Sequence, residues 1–216
     1  MIKAIIFDMD GTLLDSVPDI LASINGMLTH FGFPTVERGA ILKGIGQTGD
    51  KFVRGVLPEG EKDRVAECRP VYNEIYRNSG SPLTDMFPGV DEMLIALKSA
   101  GVKMGILSNK PHVNTLSIYE KKLGKFAFEG VLGNRENVPA KPDPTAVYEL
   151  FSLLGSDKEN TVFVGDGEAD MRTAKAAGIP AIAVSWGYRP TDVLKENGAD
   201  YVVNTPAELF ELLNRM

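Results

Sequence analysis

The sequence predicts an α/β fold in which helices cover both faces of a parallel sheet and a small helical subdomain is inserted after the first strand. Short apolar runs alternate with helix-like patterns through most of the chain, an order typical of strand–helix–strand units. One long section near the N-terminus breaks this alternation, because helical patterns follow one another there without a convincing strand. These two observations give the fold class.

The strands and helices of the sheet domain follow from short runs and their flanking residues. Buried strands are predicted, in chain order, at residues 2–7, 102–107, 130–132, 162–164, 181–184 and 201–203. Between and after them, helices are predicted at residues 89–101, 112–124, 143–155, 168–179 and 206–216. Several of these helical patterns open with Pro or Asp and close at Gly, as helices commonly do.

The inserted section runs from about Ser16 to Asp85. Helical patterns occupy residues 18–32, 36–44, 49–57 and 60–80. Gly, Ser and Pro cluster at residues 79–85, and we predict hinges there and at residues 13–18. The predicted domains are therefore a core of residues 1–15 and 86–216 and a helical subdomain of residues 16–85 that lies over the carboxyl end of the sheet.

Composition and net charge argue against several classes of protein. The chain has 216 residues, a formal net charge of -6 and a single cysteine, so an internal disulfide is excluded. An acidic balance argues against a nucleic-acid or anionic-membrane surface, since those need clustered Lys and Arg. No apolar run approaches membrane-spanning length and no leader segment is evident, so we expect a soluble, cytoplasmic protein. The oligomeric state stays open.

Polar residues directly follow the first predicted strand. In an open α/β sheet, ligands bind beyond the carboxyl ends of the strands. Asp8 and Asp10 are two positions apart, so their side chains point to the same side if the strand continues that far. The turn at Gly11 and Thr12 then exposes backbone N–H groups of the kind that bind phosphate.

Three further places carry candidate site residues. Ser108 and Asn109 follow a strand and can donate hydrogen bonds to an anionic oxygen, and Lys141 lies between prolines before a helix. Asp166 ends another strand, with Asp170 about one helical turn later, so that both carboxylates can converge on one cation. Such hard oxygen ligands and donors suit Mg²⁺ and phosphate rather than zinc.

These motifs, in this order, resemble the haloacid dehalogenase superfamily. The matching strings are "DMDGT", "SN", Lys141 and "GDGEAD", and "FDMDGTLLDS", "SNKP", "KPDP" and "WGY" resemble its phosphoglycolate phosphatase group. The resemblance covers essentially the whole chain and implies a Rossmann-like core with an inserted α-helical cap domain. One departure is Gly167, where the family commonly has Ser or Thr.

The resemblance also implies roles for these residues. Asp8 matches the nucleophile that forms an aspartyl-phosphate, and Asp10 matches the general acid and base. Both are implied metal ligands, Asp10 through its backbone carbonyl. Ser108 and Asn109 match residues that hold phosphoryl oxygens, and Lys141 matches the cation that neutralises them. Mg²⁺ is the implied cofactor, with Asp166 as a ligand and Asp170 as a ligand or a positioner of its waters.

The implied function is a Mg²⁺-dependent phosphomonoester hydrolase that acts on a small phosphorylated metabolite, foremost phosphoglycolate. An acid at position 10 favours a leaving group that needs a proton. Within the superfamily, a β-phosphoglucomutase, a pyrophosphatase and a phosphonate hydrolase stay open. From another class, a receiver-like or non-catalytic phosphate-binding protein is the alternative.

Substrate selection is expected in the helical subdomain. Residues 42–52 include Gly44, Ile45 and Gly46, which would let backbone amides approach a small anion. An ordinary turn between helices is an equally good interpretation of this segment. Lys43 and Arg54 are candidates to meet a substrate carboxylate, although solvent-exposed side chains are the commoner fate of such residues.

Overall fold

The structure, a computed structural model, describes residues 2–216 and contains two sheets. The strands are β1 (Ala4–Phe7), β2 (Leu14–Asp15), β3 (Asp85–Met86), β4 (Lys103–Pro111), β5 (Gly130–Asn134), β6 (Thr161–Gly165), β7 (Ala181–Val184) and β8 (Tyr201–Val203). The helices are α1 (Val17–His30), α2 (Arg38–Gly44), α3 (Gly49–Val56), α4 (Val65–Ser79), α5 (Val90–Ser99), α6 (His112–Lys122), α7 (Thr145–Leu154), α8 (Glu168–Ala177), α9 (Thr191–Glu196) and α10 (Pro206–Leu213).

The large sheet has the strand order β5-β4-β1-β6-β7-β8, and each neighbouring pair is parallel. Strand β1 lies in its interior, so the carboxyl ends of β4, β1 and β6 are neighbours. Side chains alternate between two cores: Ile5 and Phe7 pack on one face, and Ala4 and Ile6 pack on the other. The predicted α/β class with a parallel sheet is confirmed.

The helices of the predicted insertion, α1 to α4, lie between β2 and β3, and those two short strands pair antiparallel. The sequence analysis missed both strands and helix α9. A strand of two residues is too short to produce an alternating pattern, and α9 has only six residues. The division into residues 16–85 and the remainder stays a prediction. Within the described chain, every helix is too short or too polar to cross a bilayer.

Candidate active site

The predicted catalytic residues line one cavity at the carboxyl ends of β1, β4 and β6. The cavity has a volume of about 530 Å³, and its walls come from the sheet domain and from helices of the predicted insertion. Asp8 follows β1, Ser108 belongs to the last part of β4, and Asp166 follows β6. The parallel strands bring these side chains together although they are far apart in the sequence.

Strand β1 ends at Phe7, before either of the two aspartates. The condition for the same-side prediction is therefore not met, since residues 8–10 leave the sheet and Asp10 forms an isolated bridge with Leu14. Both carboxylates nevertheless line the cavity. The chain turn after the strand, rather than strand alternation, sets their relative position.

Three buried carboxylates form a tight cluster in this cavity. Each of Asp8, Asp166 and Asp170 contributes one oxygen, and these oxygens all lie within 4.8 Å of one another. Within residues 2–216 this is the one group of His, Cys, Asp and Glu side chains with such spacing. The side chain of Asp10 stands outside the cluster.

Burial and like charge raise the pKa values of two members of the cluster. Burial raises the pKa of Asp8 well above its usual range, and the charge of Asp170 adds to this effect. Burial and then the charge of Asp170 raise the pKa of Asp166 to about 7. Close carboxylates of this kind favour either a bound proton or a cation.

Lys141 supplies one compensating charge. Its Nζ donates to Asp8 Oδ1 at 2.8 Å, to Asp170 Oδ1 at 2.6 Å and to the Leu107 carbonyl at 2.9 Å. Burial alone lowers the pKa of the Lys141 ammonium, but the charges of Asp170 and Asp8 outweigh it, so the pKa lies above its ordinary value. The lysine is therefore held charged against the carboxylate of Asp8.

Asp10 has a different set of partners. Its Oδ1 accepts hydrogen bonds from Lys110 Nζ at 2.7 Å and from the hydroxyl of Ser16. The same Lys110 ammonium donates to the hydroxyl of Tyr76, on α4, at 2.9 Å. The sequence analysis missed Lys110, although it follows directly after Asn109 within the "SNKP" string.

In the turn after Asp10, the Gly11 N–H is already paired within the turn, and the role of the Thr12 N–H toward phosphate stays a prediction. The Gly11 N–H donates to the Leu14 carbonyl at 2.9 Å and is not available to a phosphate, and the Thr12 hydroxyl donates to Asp166 Oδ1 at 3.1 Å. Gly11 has a φ of +94°, and a Cβ at this position would collide with the Asp166 carboxylate. Glycine is needed here because the turn packs against the carboxylate cluster.

Ser108 and Asn109 both lie at the cavity. The Ser108 hydroxyl accepts from the Lys110 N–H at 3.2 Å, and its role toward phosphate stays a prediction. The Asn109 amide instead holds protein atoms: Nδ2 donates to the Gly46 carbonyl at 2.8 Å and to the Lys141 carbonyl at 3.2 Å. Its Oδ1 accepts from the Lys141 N–H at 2.9 Å, so Asn109 orients the segment that carries the lysine.

The predicted substrate segment lies partly at the cavity. Ile45 and Gly46 line it, as does Lys43, whereas Gly44 is packed so closely that a Cβ would lie 2.8 Å from the ring of Phe52. Arg54 is not part of the cavity wall. It forms a surface ion pair with Asp63 at 3.4 Å, so the structure does not support it as a substrate contact.

The loop after β7 contributes two contacts that sequence reasoning did not identify. The Tyr188 N–H donates to Asp166 Oδ2 at 2.8 Å, and Trp186 Nε1 donates to the Thr12 carbonyl at 3.0 Å. Both residues belong to the "WGY" string, so this string holds the turn and one carboxylate in place. Gly187 between them is also required, because a Cβ there would collide with Asp166.

The carboxylate cluster has the chemistry of a divalent-metal site. Its oxygens are hard ligands, and two of the three carboxyl groups have raised pKa values that a cation would lower. Mg²⁺ retains several waters and commonly binds through one or two carboxylates and a substrate phosphate. Asp8, Asp166 and Asp170 therefore fit such an ion, while Lys141 binds one oxygen of Asp8 and one of Asp170.

Comparison with known proteins gives a consistent set of similarities. The sequence profile described as haloacid dehalogenase-like hydrolase matches residues 5–184. Phosphoglycolate phosphatase 1 of Pseudomonas aeruginosa is 33% identical over 214 residues, which cover 96% of this chain and 78% of that protein. Phosphoglycolate phosphatase of Vibrio parahaemolyticus is 30% identical and covers 98% of this chain and 96% of its own.

Solved structures match over almost the full length. A crystal structure from Lactobacillus delbrueckii subsp. bulgaricus has a TM-score of 0.88 and 28% identity, and the match covers 98% of both chains. A predicted phosphoglycolate phosphatase from Haemophilus somnus has a TM-score of 0.87 and 25% identity, covering 98% of this chain and 97% of that one. The similarity thus includes both the sheet domain and the helices α1 to α4.

Proposed function

The chain belongs to the haloacid dehalogenase-like hydrolases and is a phosphatase, and we propose that it hydrolyses phosphoglycolate with Mg²⁺ through an aspartyl-phosphate intermediate. The observation that carries the proposal is the different surroundings of the two aspartates after β1. Asp8 lies in the carboxylate cluster and is paired with Lys141. Asp10 lies outside the cluster, and its carboxylate accepts hydrogen bonds from Lys110 and Ser16. The two carboxylates therefore have separate partners, as separate roles in attack and proton transfer require.

In the first step the Asp8 carboxylate attacks phosphorus and the bond between phosphorus and the ester oxygen breaks. The carboxylate and the phosphate repel each other, and the Lys141 ammonium, 2.8 Å from Asp8 Oδ1, lowers this repulsion. Asp10 gives its proton to the departing oxygen, which leaves as an alcohol. The products of this step are the alcohol and a phosphorylated Asp8.

In the second step a water molecule attacks phosphorus and Asp10 takes its proton. The bond between phosphorus and Asp8 breaks, so inorganic phosphate leaves and the carboxylate is restored. Mg²⁺ bound by Asp8, Asp166 and Asp170 would supply additional positive charge for the phosphoryl oxygens. Asp10 returns to its starting protonation state, and the cycle is complete.

Phosphoglycolate is the favoured substrate because relatives at 30% identity or above carry the name phosphoglycolate phosphatase. A cavity of about 530 Å³ suits a small metabolite, and Lys43 lies at its wall, where a second anionic group would meet it. We propose that residues 16–85 act as a cap that excludes water and selects this substrate.

The test is a panel of phosphoglycolate, other small phosphomonoesters, glucose 1-phosphate, pyrophosphate and phosphonates, each assayed for phosphate release with and without Mg²⁺. Glucose 1-phosphate is also assayed for isomerisation to glucose 6-phosphate, and phosphate binding is measured by calorimetry. We expect Mg²⁺-dependent release, with the highest kcat/KM for phosphoglycolate. Asp8→Asn keeps the shape of the side chain but removes the nucleophile, so turnover should fall by about a thousandfold or more. Asp63→Asn, at an exposed ion pair, serves as the matched control.

Each alternative outcome has a distinct meaning. Wild-type turnover by Asp8→Asn would exclude the covalent mechanism. Isomerisation of glucose 1-phosphate without monoester hydrolysis would indicate a mutase, and preference for pyrophosphate or a phosphonate would replace the proposed substrate. Absence of any turnover, together with phosphate binding, would favour the non-catalytic alternative.

A further inference from the structure

Arg189 connects the sheet domain, residues 1–15 and 86–216, to the helical section, residues 16–85. It takes no part in the proposed chemistry. It follows Tyr188 in the loop after β7, and its side chain is 16% exposed. One terminal nitrogen donates to the Ile45 carbonyl at 3.0 Å, and the other donates to the Leu42 carbonyl. Its Nε donates to Glu168 Oε2 at 3.1 Å.

These contacts match the chemistry at the end of a helix. Helix α2 ends at Gly44, so the Leu42 carbonyl belongs to its last turn and the Ile45 carbonyl follows directly. The last carbonyls of a helix lack partners within the helix and carry partial negative charge, which a cation stabilises. A guanidinium can reach two carbonyls at once because its donors form a rigid, planar fork.

Glu168 holds the guanidinium of Arg189 at its Nε atom. It is the first residue of α8, the helix that also carries Asp170. With Nε held by Glu168, the two terminal nitrogens of Arg189 face the end of α2. The arginine is therefore oriented by the sheet domain before it meets the helical section.

A second side chain holds the same segment from another strand. Asn109, in β4, donates to the Gly46 carbonyl at 2.8 Å. The segment of residues 42–46 is thus bound from two sides, and its Ile45 and Gly46 form part of the cavity wall. Gly46 has a φ of +86°, which lets the chain turn between these two contacts.

We propose that Arg189 is a positioning residue that holds the 42–46 segment over the active-site cavity and so favours the closed arrangement of the two sections. Its two carbonyl contacts cross from the sheet domain to the helical section, and opening must break them. We call these two contacts, from Arg189 to the carbonyls of Leu42 and Ile45, the clamp. The apparent affinity for substrate then depends on the fraction of molecules in which the clamp is formed. Only the kinetic part of this inference rests on the proposed function.

The first test measures hydrogen exchange without substrate. Arg189→Met removes the guanidinium while keeping a long apolar side chain, and peptides that cover residues 41–48 should exchange about tenfold faster than in the wild type. Peptides of β1 and β6 should be unchanged, which establishes that the fold is intact. Arg54→Met, which removes an exposed arginine from the helical section, should leave all these rates unchanged.

The second test separates KM from kcat with phosphoglycolate. Arg189→Met should raise KM about tenfold and change kcat less than about threefold, because bound substrate still drives closure. Arg189→Lys keeps the positive charge but lacks the planar set of guanidinium donors, so its KM should lie between those of the wild type and Arg189→Met. Glu168→Gln, which weakens the hold on Arg189, should change KM in the same direction by a smaller factor.

The possible results separate this inference from the proposed function. Unchanged exchange at residues 41–48 in Arg189→Met would overturn the clamp, even if phosphoglycolate is hydrolysed normally. Faster exchange there would support the clamp even if phosphoglycolate is not a substrate. A variant that reduces kcat alone, with KM unchanged, would also overturn it. If Arg189→Met fails to fold, the same comparisons apply to Arg189→Lys and Glu168→Gln.

Discussion

Magnesium should stabilise this protein more at pH 8 than at pH 6, because in the proposed site the metal and protons would compete for the same carboxylates. The pKa of Asp166 is raised from 3.8 to about 7 by burial and then by the charge of Asp170. The folded, metal-free protein thus keeps a proton that the unfolded chain releases. This contribution to stability is present below pH 4 and is lost as the pH rises to about 7, a difference of about 4 kcal/mol.

The expected shift in melting temperature follows from this competition. At pH 8 the Asp166 carboxyl group is largely deprotonated, and Mg²⁺ at about 100 times its Kd adds about 2.7 kcal/mol. For a chain of this size that raises Tm by about 5–11 °C. At pH 6 the metal must displace a proton, so its apparent affinity is about tenfold weaker. The same concentration then adds about 1.4 kcal/mol, or about 3–6 °C.

The assay is thermal unfolding followed by circular dichroism, with and without MgCl₂, at both pH values. Asp166→Asn removes the titrating group and a proposed metal ligand, so both the magnesium shift and its pH dependence should disappear. Asp63→Asn, whose side chain is fully exposed in the wild type, should retain both. Equal magnesium shifts at pH 6 and pH 8 in the wild type would refute the reasoning, as would a full shift in Asp166→Asn.

Further predictions concern the two buried lysines. Lys141→Met leaves the Asp8 carboxylate without its cation and should lower the free energy of unfolding by about 3 kcal/mol in metal-free urea titrations at pH 8, less at pH 5. Unchanged stability at pH 8 would contradict this. Lys110→Met should lower kcat about 10–100-fold because Asp10 loses its orientation. Tyr76→Phe, which removes only the other acceptor of Lys110, should cost less than threefold; equal losses would assign the effect to the hydroxyl.

The sheet and the chemical groups at its edge were predictable because they depend on local patterns. Apolar runs identified the strands, and polar residues directly after them identified Asp8, Ser108 and Asp166. Parallel strands place such positions at one edge whatever the details of the loops. The partner of the Gly11 N–H was not predictable, because the N–H closes the turn on the Leu14 carbonyl and no pattern in the sequence reports that contact.

The partners of Lys110 and Arg189 could not be predicted in the same way. Lys110 is 100 residues from Asp10, and their contact depends on the chain turns that follow β1 and end β4. Arg189 is 147 residues from Leu42, and that contact depends on how the helical section docks on the sheet. Sequence spacing carries no information about that docking. A lysine or arginine after a strand is ordinarily assigned to solvent, and only the structure gives these two buried partners.

The contacts between the helical section and the sheet domain begin at residues adjacent to the proposed chemistry. Asn109, which reaches the Gly46 carbonyl, follows Ser108 and also orients the backbone of Lys141. Arg189 follows Tyr188, whose N–H donates to Asp166. A movement that breaks the contacts to the helical section therefore involves the same short backbone segments that position Lys141 and Asp166. Docking of the helical section and precise placement of the charges are thus expected to be coupled, because they share these segments.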